Sequence, residues 1–433
     1  MSCLLIAALL AAGFAARAEP EDLPPGVLKA PKAVTVNREL VKHVAKFTCL
    51  ETIRRTDLAR NQRSIKDQDA IQVEVAVGGG REVFSWPGQN NFSDSELAQI
   101  VGHGMVATGL FQSMVNTVFA GNAAAIHWVG ESALHGHPAY RFRYKVPSFL
   151  SRWQVDWLGA RGIVGEEGEF WVDASQFTLL RLTEDAVDIP PALPLQHLRV
   201  VIDYRPESIG MAKTLLPESA GVVAAEWSGA LHRAEVSFSH CRVFGAESTL
   251  LLSAADLVKE VSQFQKSRQV LPTGLTLPLT LETAIDSAIA MVGDKIRARL
   301  EEPVALPDNS TIPQGAAAEG YLRQLERFHD GDSSYYQVGL EFDRMLWPGH
   351  SADFFAESLS TLPVIRLSRG VQSGHRGNWL TMESQSETIQ PIHIPGVASF
   401  VLKGERVHVA KGFRIVWRTR APTNPGRGPT RLR

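Results

Sequence analysis

The chain has 433 residues, of which 44% are hydrophobic and 21% charged. That composition belongs to globular material, neither disordered nor fibrous, and the length exceeds what one core usually supports, so two domains are expected. A formal net charge of -2 exerts no overall pull toward nucleic acid or an anionic membrane surface, and no nucleic-acid partner is expected.

The opening MSCLLIAALLAAGFAARAEP reads as a secretory signal peptide over residues 1–18, with an apolar core at 4–12 and the small-x-small cleavage pattern Ala16-Arg17-Ala18. No Lys or Arg precedes the apolar run, so a buried N-terminal helix is the competing reading. Cys3 precedes the apolar core, where it offers no lipid-attachment site. No later run approaches the roughly 20 apolar residues that a membrane helix requires. The mature chain is therefore expected to lack a transmembrane segment and to be exported, periplasmic or associated with the outer envelope. Residues 19–36 read as a polar, Pro-rich N-terminal extension.

The first domain is expected over 37–253. AIQVEVAV sets Ile71, Val73, Val75 and Val77 on one face of a strand, Gly78-Gly79-Gly80 allows a reversal, and REVFSW returns. Ser93 and Glu96 have capping-box spacing before LAQIV, which predicts a helix there. LFQSMVNTVF, with Leu110, Phe111, Met114, Val115 and Val118 at helical spacing, predicts a second. Strands then resume in YRFRYKV, in GEFWVDASQFTLLRL with an Asp-Ala-Ser turn, in LRVVIDY and in RAEVSFSHCRVF.

Residues 254–270 are polar without strong periodicity and read as a linker. Beyond them, short apolar runs broken by Pro and Gly predict a small β-barrel or sandwich over 271–420. Leu281, Ile285, Ile289, Val292 and Ile296 also fit a helix, but Gly293-Asp294 and the alternation of Ile296, Ala298 and Leu300 favour strand, turn, strand. The tail at 421–433 is basic and Pro-rich, and disorder is expected there.

GEFWVDASQFTLLRL, with its Trp-Val-Asp corner and Leu-Leu-Arg return, resembles LolA-like periplasmic half-barrel proteins, the lipoprotein-carrier class. That resemblance covers about residues 37–253. It implies a mainly β fold, a curved antiparallel half-barrel with two helices inserted on its concave side, and an apolar ligand, lipid or lipoprotein as cargo. The segments LPTGLTLPLTLETAIDS, GDKIRARLEEPV and STIPQGAAAEGYL resemble the C-terminal β-barrel of TrbI-type conjugation and type IV secretion proteins, over about 271–345. That likeness implies envelope protein partners and a structural or assembly role as the alternative function. The pairing also resembles uncharacterised exported bacterial proteins.

Few residues carry chemistry on their own. Gly102-His103-Gly104-Met-Val-Ala107 matches a dinucleotide fingerprint, but a helix rather than a strand precedes it, which favours a helix–helix connector. His135-Gly136-His137-Pro could offer metal ligands, yet it lies between strand patterns and reads as a turn. Glu166, Glu167 and Glu169 could pair for acid–base work, but they read as a solvated hairpin end. Arg141, Arg143 and Lys145 alternate along one strand face, which could meet phosphate and more simply faces water. Tyr140, Phe142 and Tyr144 then point inward, as candidate ligand-binding residues in a concave cavity or as core filled by the two helices. No metal site, cofactor or catalytic residue is assigned, and a binding protein rather than an enzyme is expected. Cys49 and Cys241 are the two cysteines left after signal cleavage. Each lies in a strand pattern, at the two ends of one domain, and an oxidising compartment would join them in a disulfide.

Overall fold

A computed structural model describes residues 25–42, 46–58, 65–78, 81–89, 92, 96–209, 212–243, 269–330, 333–359 and 394–421. The stretch read as a signal peptide, most of the expected linker and nearly all of the basic tail lie outside these residues. The fold is mainly β, as expected. A helix, α1 (Pro25–Lys42), opens it and takes in residues 25–36 of the expected N-terminal extension. Proline at the first helical position is pre-organised for that role, but Pro31 and the β-branched Val34-Thr35-Val36 give the interior weak helix propensity. Tertiary contacts hold it. Asn37, fully buried, donates to the Ala33 and Phe177 carbonyls and accepts from the Leu179 amide. Lys29 lies over the rings of Trp128 and Tyr140, and Arg38 Nε donates to the Phe119 carbonyl.

The N-terminal sheet is built from β1 (Phe47–Leu58), β2 (Ile65–Gly78), β3 (Arg81–Ser85), β4 (Ala125–Leu134), β5 (His137–Val146), β8 (Gly165–Asp173), β9 (Leu179–Val187), β10 (Leu195–Ile209), β11 (Ala212–Glu226) and β12 (Leu231–Val243). A small separate hairpin, β6 (Gln154–Trp157) and β7 (Ala160–Ile163), precedes β8. All sheet pairings are antiparallel, in the spatial order β4-β5-β8-β9-β10-β11-β12-β1-β2-β3. The order is a meander except that β1 closes against β12, the last strand. Two short helices, α2 (Leu97–Val101) and α3 (Ser113–Phe119), fall where helices were expected. The capping box is corrected: Glu96 itself occupies the N-cap and makes no side-chain cap bond, while Ser93 lies outside the described residues.

The corner after β8 is an Asx turn. Asp173 Oδ1 accepts from the Ser175 amide and hydroxyl and the Gln176 amide. Within β8, a Cβ on Gly168 would stand 1.8 Å from the Thr183 carbonyl oxygen. Glycine alone lets the two strands approach beneath the Tyr144 ring.

The second part contains β13 (Gln269–Val270), β14 (Thr276–Leu281), β15 (Ile285–Asp286), β16 (Lys295–Leu300), β17 (Val304–Ala305), β18 (Thr311–Ile312), β19 (Ala317–Asp330), β20 (Ser333–Trp347), β21 (His350–Asp353), β22 (Phe355–Ser358), β23 (Ala398–Lys403), β24 (His408–Val409) and β25 (Arg414–Arg420). Antiparallel pairing runs β22-β25-β14-β16-β19-β20, and β20 continues to both β21 and β23. The ambiguous run after Leu281 is strand and turn, as expected. Val270, placed at the end of the linker, belongs to β13 and pairs with Asp353 of β21.

One edge of β2 joins the two parts. Its C-terminal end pairs with β3, Ile71 bridges to Val292, and Gln68 and Asp67 pair with Arg327 and Phe328 of β19. The Gln72 amide donates to the Val292 carbonyl at 2.7 Å. Trp86 stacks on Tyr321 with centroids 6.1 Å apart, and the Arg323 guanidinium lies over the Trp86 ring while donating to the Ile100 carbonyl. Buried apolar side chains of both parts form one continuous cluster.

Candidate ligand cavity

The inward face of β1 carries Phe47, Cys49, Glu51, Ile53 and Arg55, all buried. Cys49 is bonded to Cys241, with Cα atoms 4.1 Å apart. On β12 the register slips between Thr48–Arg242 and Leu50–Ser239, and His240 takes a positive φ of 53°. This bulge turns Cys241 toward its partner.

Arg55 is the centre of a buried charge cluster between the two parts. Its guanidinium donates to both carboxylate oxygens of Asp69 and to the His103 carbonyl. His103 Nε2 lies 3.5 Å from Glu326 Oε2 on β19. The Gly102-His-Gly104 stretch is a helix C-cap and connector, as read from the sequence: Gly102 has φ 87° and ends α2. A Cβ on Gly104 would lie 2.3 Å from Arg55 Nη1, so its glycine makes room for the guanidinium.

Beside this cluster a cavity of about 1830 Å³ opens between the sheet, the α2–α3 region and the β6–β7 hairpin. Its apolar wall includes Val83, Phe84, Met105, Leu198, Val200 and Val222. Glu82 closes one side by accepting from the Gly109 and Phe111 amides at 2.7 and 3.0 Å, which ties the connecting loop to β3. Burial raises its pKa, and these two bonds oppose the rise. Toward the hairpin, His232 bridges Asp57 at 2.8 Å and Glu226 at 3.3 Å, and Trp157 donates to Glu226 while meeting the His232 ring edge-on. Burial disfavours charge on His232, but the two carboxylates outweigh it and raise the pKa.

The hairpin tip is apolar and left-handed. Leu158 and Gly159 have φ of 48° and 82°, the pattern of a type I′ turn, which glycine or asparagine usually fills. Leu158 is 78% exposed; Phe149, next to the lining residue Leu150, is 83% exposed, and Trp227, next to Glu226, is 71% exposed. Three large apolar side chains thus stand in water beside the cavity.

The other singled-out residues fall as follows. Phe142 and Tyr144 are fully buried; Phe142 stacks on Phe170 at 4.9 Å, and Phe170 meets Phe119 of α3 edge-on. Tyr140 is partly buried against Trp128 and Phe177. None of the three is among the residues lining the large cavity. Arg141 and Arg143 pair with Glu169, and Lys145 with Glu167, on the water-facing side. His135 and Gly136 form the β4–β5 turn, both with positive φ. Glu166 is corrected: it is 2% exposed, faces inward and accepts a hydrogen bond from the Ser151 hydroxyl. Among the described residues no group of three or more His, Cys, Asp or Glu is placed to hold a metal ion, and no helix is long and apolar enough to cross a membrane.

Sequence reasoning missed Glu82, Glu184 and the inward turn of Glu166. Strand parity could have found two of them, because Glu166 shares a face with Gly168, Phe170 and Val172, and Glu184 shares one with Leu182.

No protein-family model and no curated protein matches the chain. Among solved structures it is similar to a LolA superfamily protein from Nitrosomonas europaea, at 11% identity and TM-score 0.27, over 52% of this chain and 98% of that one. A candidate outer membrane lipoprotein-sorting domain from Vibrio parahaemolyticus is similar at 10% identity and TM-score 0.27, over 55% and 97%. A DUF1329 family protein from Desulfovibrio piger is similar at 12% identity and TM-score 0.30, over 54% and 99%.

Proposed function

We propose that this is an exported, non-enzymatic envelope protein whose N-terminal part binds an apolar ligand, a lipid or the lipid chains of a lipoprotein. The cavity of about 1830 Å³ carries the reading. It exceeds the usual 300–1,000 Å³ of small-molecule sites and so suits a long or branched ligand. Its wall of Val83, Leu198, Val200 and Val222 offers apolar surface, and transfer of a buried methylene from water is worth about 0.8 kcal/mol. The exposed lining residue Leu158, with the exposed Phe149 and Trp227 each next to a lining residue in sequence, offers apolar contact to a ligand passing from a membrane or a partner.

Native mass spectrometry of the full chain purified from a membrane-containing extract tests the reading. An adduct with the mass of a lipid, reduced at least tenfold by Val222→Trp, is the expected result. A bare protein after exposure to extract and to added phospholipid overturns it.

A further inference from the structure

At the inner wall of the cavity two carboxyl groups stand on one face of adjacent strands. Glu166 on β8 lies opposite Ala186 of β9, and Glu184 is two residues from Ala186, which makes the acids diagonal neighbours. Both line the cavity. Glu166 is anchored by the Ser151 hydroxyl. Glu184 is 1% exposed, and its Oε1 has no hydrogen-bond partner among the described residues. A buried carboxyl oxygen left without a donor costs free energy unless a ligand supplies one.

The surroundings indicate the kind of donor. Eight acidic side chains line the cavity (Asp57, Glu82, Glu96, Asp156, Glu166, Glu184, Glu226 and Glu326) against the exposed Arg81 and Arg152 and two histidines, His103 beside Glu326 and His232 between Asp57 and Glu226. Such a field with apolar walls favours a positive group and repels an anionic one. We infer that the Glu166–Glu184 pair is a head-group site for a protonated amine, so that the cavity selects amphiphiles with an ammonium group and an apolar tail. This rests on the apolar-ligand reading and adds the chemistry of the ligand's polar end. Burial, and for Glu184 the Glu166 charge, raise both carboxyl pKa values. Tyr144 on β5 and Tyr204 on β10 face the pair from the neighbouring strands and supply no positive charge. A bound ammonium provides the compensating charge that the protein leaves out, and any proton displaced from a carboxyl passes to the buffer.

The test compares dodecylamine, dodecanol and dodecanoate, each below its micellar concentration, bound to the full chain at neutral pH and followed by the fluorescence of the lining residues Trp153 and Trp157. Dodecylamine is expected to bind at least tenfold more tightly than dodecanol, with dodecanoate weakest. Glu166→Gln/Glu184→Gln abolishes that preference while dodecanol still binds, which also reports an intact cavity. The control variant Glu218→Gln, outside the cavity lining, keeps the preference. Equal binding of amine and alcohol by the native chain overturns the head-group site alone, as does a preference that survives in the double variant or vanishes in Glu218→Gln. Failure of all three probes to bind overturns the apolar-ligand reading as well.

Discussion

Cys49 meets Cys241 across two hydrogen-bonded strands, at the one place where their register slips. The bond spans 192 residues of sequence but adds no new neighbour in space, since β1 and β12 already pair on both sides of it. Its stabilisation therefore acts through the unfolded chain, where closing such a loop is worth about 5 kcal/mol in the entropy account and typically about 2–4 in practice. Peptide mapping of the unreduced chain is expected to recover Cys49 and Cys241 in one linked species. Cys49→Ser/Cys241→Ser should lower the free energy of unfolding by about 2–4 kcal/mol with the far-ultraviolet spectrum preserved. Free thiols at both positions would contradict the bond.

Glu51, two residues along the same inward face, is 2% exposed, and its Oε1 lacks a hydrogen-bond partner among the described residues. Burial, reinforced by Glu82, raises its pKa well above the ordinary carboxylate value. The folded chain thus holds a proton that the unfolded chain releases above about pH 4.3. The stability this group contributes is complete below that pH and is lost as pH rises toward the folded value. Glu51→Gln should match the native chain near pH 4 and exceed its stability by about 1–3 kcal/mol at pH 8, read from urea midpoints at the two pH values. A gain that is equal at both would sink the explanation.

Phe142 stacks on Phe170 inside the sheet. Phe142→Ala should cost about 3–5 kcal/mol as a cavity-forming core truncation. A loss well below 1 kcal/mol accompanied by weaker lipid binding would instead make this ring part of the ligand site.

The Arg55–Asp69 pair lies almost wholly out of water, with side-chain exposures of 7% and 3%. Asp69→Ala strands the guanidinium and should destabilise by about 3–5 kcal/mol, whereas Arg55→Met/Asp69→Leu should recover most of that loss. Thermal or urea unfolding of the three proteins checks the order. A double variant no better than the single one would show that the charges themselves are needed.

The shared edge of β2 makes a prediction about the whole molecule. Cleavage at a protease site introduced within 254–268 should leave two fragments that co-elute in native gel filtration, because β2–β19 pairing, the Gln72–Val292 bond and the Trp86–Tyr321 contact hold them. Separation of the fragments without denaturant would show two independent bodies.

Much of the N-terminal sheet was legible because its strands alternate cleanly. YRFRYKV places Phe142 and Tyr144 inside and Arg143 and Lys145 outside, and the partners Glu167 and Glu169 follow the same parity on β8. Glu166 was misread because three acids in four residues look solvated, although its phase puts it inside. α1 escaped because its stability comes from Asn37 and Lys29 docking onto distant strands, which leaves little local signal. The cavity and the joint between the parts depend on pairings such as Gln68 with Arg327, far apart in sequence and carried by only a few residues.

The insertion of β1 between β2 and β12 also sets a timetable. The β1–β2 hairpin can form as soon as it is made, in microseconds, whereas pairing with β12 must wait for the rest of the sheet and close a much longer loop. Until then one long edge of β1 is an open template for wrong partners. Cys49 sits on that edge, so its oxidation reports completion: the correct disulfide becomes available only when the last strand of the first part has docked. An oxidising environment therefore works as a latch on finished molecules, and chains halted before β12 are the ones expected to aggregate or form mixed disulfides.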